Sequence, residues 1–251
     1  MKLTVDLNAD LGEGAGSDLE LLDLVTSANI ACGFHAGDPV SILRSIRDAA
    51  GKNVSIGAHP SFLDRQNFGR AELALTPAEV FAQVVYQLGA FDQLATAAET
   101  AIRHVKPHGA LYNMAVRDSE LADAIVRAIL VINPYLMLFA PSNSVLARAG
   151  EAADLRIVSE VFADRNYLAD GSLVPRNRED ALLHDPAEAA KRVVRMLREG
   201  KVRSVDGPDV EVRAETICVH GDTPGAVEFA GSLQLALREQ EVAIAPPAGP
   251  L

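Results

Sequence analysis

Ser27-Ala28-Asn29-Ile30-Ala31-Cys32-Gly33-Phe34-His35-Ala36-Gly37-Asp38-Pro39 decides the fold. Its first five residues form a short run of the kind that suits a parallel strand covered on both faces. Asp38-Pro39 then opens a helix through Leu43 and Ile46: the Asp side chain caps free N–H groups, and Pro fits the first helical position. Between them lies a turn with two glycines and a histidine. The unit is strand, polar turn, helix.

The same unit recurs outward in both directions. Strands are expected near Leu3–Leu7, Ser27–Ala31, Val54–Gly57, His104–Lys106, Leu136–Ala140, Arg156–Glu160 and Thr216–His220. Thr76-Pro77-Ala78-Glu79 is a capping box with Pro at the first helical position, and Val80, Val84, Leu88, Phe91 and Ala95 follow at helical spacing. Asp185-Pro186-Ala187-Glu188 repeats that start ahead of Val193, Val194 and Leu197, and Asp118 caps a helix through Ala122, Ile125 and Ile129. Strands alternating with longer amphipathic segments predict an α/β barrel of parallel strands. Around 202–212 the period changes to two on either side of Asp206-Gly207, which predicts an inserted β-hairpin before the last barrel strand. The Pro/Gly-rich tail after about Ile244 is expected to be loose. No linker, repeat or low-complexity tract divides the chain, so residues 1–251 are expected to form a single barrel domain, a normal length for this architecture.

Composition narrows the function. The chain is 49% apolar and only 5% aromatic, enough for a large aliphatic core, and no apolar run approaches the ~18 residues of a membrane span. The N-terminus leads straight into a strand with no secretory signal pattern. Cys32 and Cys218 stand far apart, so they read as buried, inert thiols in a reducing, cytoplasmic setting. A formal net charge of −11 with no basic stripe argues against nucleic acid.

Polar residues collect just after the expected strands, where the loops of an α/β barrel converge on one mouth. They include Asp10 and Glu13 after the first strand, His35 after the second and His59 at the third. Lys106 and His108 belong to the fourth; Glu160, Asp164 and Arg165 follow the sixth; His220 and Asp222 follow the last. One such histidine is ordinarily a hydrogen-bonded structural residue, but four in equivalent places favour a site. Asp10, His35 and His59, from three consecutive strands, are the best trio for a divalent transition metal. Direct hydrogen bonding of these groups to substrate is the alternative. Lys106 shares a strand face with His108, either as a clamp for an anionic group or as an ion-pair partner of Glu160 or Asp10. Glu13, His108 and Glu160 are candidates for moving protons, Glu160 being the strongest by position. Asp164 with Arg165 also reads as a structural pair, Asp222 as a helix cap, and Arg176 and Arg178 as solvated.

These strings resemble the LamB/YcsF family. The likeness runs from Asp6-Leu7-Asn8-Ala9-Asp10 to beyond Asp222, and is most specific at Asn29 to Pro39, Gly57 to Pro60, Val105 to Asn113, Phe162 to Arg165 and Cys218 to Asp222. It implies a distorted seven-stranded β/α barrel, similar to those of glycoside hydrolases and carbohydrate deacetylases. It also implies hydrolysis of 5-oxo-L-proline to L-glutamate coupled to ATP hydrolysis, in complex with subunits B and C. Two departures touch the rim: a short Gly14-Ala15-Gly16 after Glu13, and Phe68-Gly69-Arg70-Ala71 where the family has Phe-Gly-Arg-Arg. No Gly-x-x-x-x-Gly-Lys-Ser/Thr loop is present, so ATP binds by another arrangement or largely on a partner subunit. The expected roles are Lys106, assisted by Arg165, for anions, and Asp10, His35 and His59 for a metal or for lactam and water. Rival readings are a stand-alone metal-dependent deacetylase or amidohydrolase, and a non-catalytic lactam-binding subunit.

Overall fold

The computed structural model describes residues 3–175, 177–219 and 225–249. Seven parallel strands close into a barrel: β1 (Thr4–Leu11), β2 (Ser27–Ala31), β3 (Ser55–His59), β4 (His104–Val105), β5 (Met137–Pro141), β6 (Ile157–Phe162) and β9 (Thr216–Val219). Each pairs with the next, and β9 returns to β1 with Asn8 opposite Cys218. All seven expected strands are present. β1 runs further than expected, to Leu11, which keeps Asp10 on the strand opposite Asn29.

The helices are α1 (Asp18–Leu22), α2 (Pro39–Gly51), α3 (Pro77–Ala97), α4 (Gly109–Ala115), α5 (Ser119–Ile132), α6 (Val145–Ala152), α7 (Pro186–Glu199) and α8 (Ala226–Glu239). Their starts follow the local chemistry. Thr76 and Asp38 each form a full capping box, with Glu79 and Ser41 reaching back to the cap N–H. Asp118 and Asp185 accept from the first turns of α5 and α7. The apolar stripe of α3, from Val80 to Ala95, is buried as its spacing predicts, and each such side chain contributes about 1.5–3 kcal/mol of burial.

The inserted hairpin is β7 (Lys201–Arg203) against β8 (Asp209–Glu211), antiparallel with Val202 opposite Val210. Just ahead of the tail lies a pairing that the sequence did not announce. Ala243–Ile244 form a short parallel strand, β10, on Thr4 and Val5, and the Ala245 N–H donates to the Val5 carbonyl. Unsatisfied groups at the start of β1 account for this, since strand backbone left without partners is costly when buried.

The side chains of β1 divide the molecule. Val5, Leu7, Ala9 and Leu11 join the core shared with the helices. Asp6, Asn8 and Asp10 face the barrel interior, because Asn8 bonds to Glu160 on β6, a strand not paired with β1. Asn29 on β2 likewise reaches His104 on β4 across the interior. α/β barrels usually fill their centres with branched aliphatic side chains. Here, among the described residues, Met137, Phe139 and Val158 form a separate apolar plug, and most of the remaining interior is polar and mutually hydrogen-bonded.

Candidate active site

Four side chains at the mouth point their ligand atoms at one another. Glu13 Oε1 lies 3.0 Å from His35 Nε2, 3.3 Å from His108 Nδ1 and 3.8 Å from His59 Nε2. All four ligand atoms fall within 4.8 Å of each other. Glu13 gets there on a glycine turn: Gly12 has φ +73°, and its N–H donates to the Asp18 carboxylate at 2.8 Å.

The tautomers follow from outer partners. His59 Nδ1 donates to the Lys106 carbonyl at 2.6 Å, and His108 Nε2 donates to the Phe68 carbonyl at 2.9 Å. That leaves lone pairs on His59 Nε2 and His108 Nδ1, which face each other at 3.0 Å beside a carboxylate. Such a cluster requires a cation, either a proton or a metal ion. Backbone carbonyls that fix the far side of each ring are the usual support of metal-ligating histidines. Burial opposes charge on His59, but the carboxylates of Asp10 and Glu13 outweigh it and hold this ring above the ordinary histidine value. Burial, then the charge on His59, pushes His35 down to about 3 and His108 down to about 2. The residues therefore fit a divalent transition metal.

Beside this group lies a buried ion cluster. Lys106 Nζ stands 3.0 Å from Asp10 Oδ1 and 2.8 Å from Glu160 Oε1, and also donates to Asn8 Oδ1 and Cys218 Sγ. Burial disfavours the ammonium, yet the neighbouring carboxylates hold it charged, well above the usual lysine value. Of the two readings of Lys106, the geometry supplies the ion pair, with both expected carboxylates at once. Glu160 is surrounded by donors: Lys106, Asn8 Nδ2 at 3.1 Å and the Tyr112 hydroxyl at 2.6 Å. The two clusters touch where Asp10 Oδ2 comes within 3.4 Å of His59 Nε2.

A loop after β3 roofs the histidines. Asp64 anchors it through Asn67 and the Ala71 N–H, and Gly69 carries φ +66°. A Cβ on Gly69 would stand 2.2 Å from Ser61 Oγ and 2.9 Å from His108 Cδ2. Phe68, itself at φ +56°, lays its ring edge-on to His35 and His108 with centroids 5.5 Å away.

Asp10, Glu13, His35, His59, Lys106, His108 and Glu160 are thus brought together, as the strand-end positions suggested. The group whose ligand atoms converge is Glu13, His35, His59 and His108; of the expected trio it contains His35 and His59, while Asp10 turns its Oδ1 to Lys106 and Asn29. Arg165 is buried, and its guanidinium donates to the Val174 carbonyl at 2.6 Å in the β6–α7 loop. His220, Asp222 and Arg176 lie outside the described residues. Sequence reasoning missed Asn8, Asn29, His104 and Tyr112. The signal for the first was present: Asp6, Asn8 and Asp10 alternate with Val, Leu and Ala, placing three polar groups on one strand face. Cys218 is buried as expected, but its thiol lies inside the ion cluster, 3.0 Å from Lys106 Nζ.

Comparisons with known proteins bear on the family and the fold. The LamB/YcsF family profile matches residues 5–250. The 5-oxoprolinase A subunit of Bacillus licheniformis is 49% identical over 245 residues, covering 96% of this chain and 97% of that one. The crystal structure of a lactam utilization protein from Thermus thermophilus superposes with a TM-score of 0.90 at 45% identity, covering 97% and 99% of the two chains. A T48 deacetylase shares the fold at a TM-score of 0.52 and 13% identity, covering 97% of this chain and 88% of its own.

Proposed function

The chain belongs to the LamB/YcsF family, and on that premise we propose that it is the A subunit of a 5-oxoprolinase. It opens the lactam ring of 5-oxo-L-proline to L-glutamate with hydrolysis of ATP, in the cytoplasm and together with subunits B and C. One observation carries the reading: a carboxylate–histidine group and a Lys106-centred ion cluster meet at a single barrel mouth.

A five-membered lactam is a stable amide, and its ring opening needs an electrophilic carbon and a directed water. Transfer of the ATP γ-phosphoryl group to the lactam oxygen supplies the first. Overall, 5-oxoproline, ATP and two waters give glutamate, ADP and phosphate. Because the sequence carries no P-loop motif, ATP binds by another arrangement or on the partner subunits.

Asp10 is the carboxylate best placed to direct the water. Its Oδ1 bonds to Lys106 and Asn29, and its Oδ2 points to His59 Nε2 at the mouth. Its side chain is 11% exposed, against 5% for Glu13 and 0% for Glu160. Lys106 lies between Asp10 and Glu160 and pairs with both. Asp10 Oδ2 takes a proton from the attacking water and returns it to the departing ring nitrogen, which becomes the amine of glutamate, and the γ-glutamyl phosphate so formed is hydrolysed by the second water to glutamate and phosphate. Glu13, His35, His59 and His108 hold a divalent transition metal, which when bound supplies Lewis-acid polarisation of the reacting oxygen. Arg165 is retained as an assisting group for anionic parts of the substrate, and His220 as a catalytic residue.

The test is release of glutamate and ADP from 5-oxoproline by the three-subunit enzyme. Asp10→Asn keeps the shape of the side chain and should lower kcat by roughly a hundredfold or more, within the range for loss of a general base. Near-normal turnover would refute the assignment. Hydrolysis of an N-acetyl substrate by this chain alone, without ATP, would transfer the reading to a stand-alone deacetylase.

A further inference from the structure

Beneath the mouth, one layer below the ion cluster, lies a histidine that the chemistry above does not use. His104 on β4 is fully buried, two residues before Lys106, and its ring stacks on Phe139 with centroids 4.1 Å apart. Its Nε2 is 2.8 Å from Asn29 Oδ1. The barrel makes room for it at the adjacent strand. A Cβ on Gly57 would fall 2.1 Å from His104 Nε2, so β3 carries a glycine where it passes the ring.

The direction of every hydrogen bond in this layer is fixed. Asn29 Nδ2 faces two acceptors, Asn8 Oδ1 at 2.7 Å and Asp10 Oδ1 at 2.8 Å, so Asn29 must turn its Oδ1 to His104. An amide oxygen only accepts, and the proton between the two therefore belongs to His104 Nε2. Burial, then the charge on Lys106, pushes this ring down to about 3, which keeps it neutral with that single N–H. The His104 donor at one end and the two acceptors at the other thus hold the same orientation: a flipped amide would set an oxygen against both Asn8 Oδ1 and Asp10 Oδ1, and loss of the His104 N–H removes the donor that holds the buried Asn29 Oδ1.

We propose that His104 is a positioning residue: its Nε2–H sets the Asn29 amide, and that amide aims the Asp10 carboxylate. The inference rests on the reading of Asp10 as the working carboxylate. His104 touches neither substrate nor the Glu13–histidine group, and it acts only through Asn29.

Two substitutions separate the donor from the bulk. His104→Leu removes the N–H, whereas His104→Gln retains an amide N–H able to reach Asn29 Oδ1. In the three-subunit enzyme, His104→Leu should lower kcat about tenfold, with KM within about twofold of the parent, the scale of one lost buried hydrogen bond. His104→Gln should recover most of that loss. Unchanged kcat in His104→Leu, equal losses in both variants, or an effect confined to KM would overturn the proposal. Gly57→Ala, which displaces the ring while leaving His104 in place, should reproduce the kcat-selective loss should the Leu variant fold poorly. A second readout needs no turnover. In the 15N-labelled protein on its own, the Asn29 side-chain amide resonances should move in His104→Leu and stay near the parent positions in His104→Gln. Unmoved resonances in the Leu variant overturn the inference. Loss of 5-oxoproline turnover in the parent complex would instead sink the functional reading, and the spectra would still decide the role of His104.

Discussion

At the scale of the residue, charge balance inside the barrel is the governing constraint. Lys106 faces two carboxylates, Asp10 and Glu160, in a region almost closed to solvent. Removing one partner of a buried ion pair costs about 3–5 kcal/mol, because the remaining charge is left without compensation. Lys106→Met should therefore abolish turnover and also lower the unfolding midpoint, while Lys106→Met with Glu160→Gln should regain part of the stability and none of the activity. Thermal unfolding of the single and double variants measures this, and additive losses would contradict the ion-pair account. His104 makes a separate pH prediction. The folded state holds its ring down to about 3, whereas the ordinary value is 6.5, so as pH falls the unfolded chain takes up a proton that the folded one does not. Its stabilising contribution is thus complete above the ordinary value and is lost on acidification, at about 1.4 kcal/mol per pH unit for one proton. His104→Gln should flatten the dependence of stability on pH between about pH 6 and about pH 4 by close to one proton; denaturant titrations with the parent slope would refute it.

At the scale of the element, the loop over the histidines transmits backbone shape to the ligand set. Phe68 and Gly69 both adopt left-handed φ, and this places the Phe68 carbonyl on His108 Nε2. Gly69→Ala adds a methyl group against Ser61 and His108. It should weaken divalent-metal affinity by about tenfold, as losses of outer hydrogen-bond partners do, with the fold retained. Calorimetric titration with zinc or manganese reads the change, and parent-like affinity would count against the loop's role. The helices were the most legible elements. Thr76, Asp38, Asp118 and Asp185 announced their starts because a cap is a local bond between a side chain and the next turn. The β10 pairing was not legible, since two residues just ahead of the Pro/Gly-rich tail carry no strand period of their own.

At the scale of the whole molecule, the proposed metal ligands come from four separate β/α turns, so on that proposal metal binding would be linked to global stability. Zinc or manganese at about a hundred times its dissociation constant should stabilise the folded chain by about 2.7 kcal/mol. The midpoint should rise on addition and fall again with chelator, and His59→Ala should remove the response. A parent protein whose unfolding is indifferent to every divalent transition metal would eliminate the metal reading and leave the proton as the cation of the cluster. No helix among the described residues is long and apolar enough to cross a membrane.

The sequence by itself determined the seven strands, the helices opened by Asp38, Thr76, Asp118 and Asp185, and the rim on which Asp10, Glu13, His35, His59, Lys106, His108 and Glu160 would stand, because periodicity, caps and turn glycines act over a few neighbouring residues. Only the tertiary structure decided which acid serves which partner. Asp10 still belongs to β1 and faces inward to Lys106 and Asn29, whereas Glu13, three residues later and past the turn at Gly12, leans over the histidines. That difference depends on how far a strand continues and on where side chains from other strands meet it. Such distances are set by closure of the barrel and are invisible in the spacing of one segment.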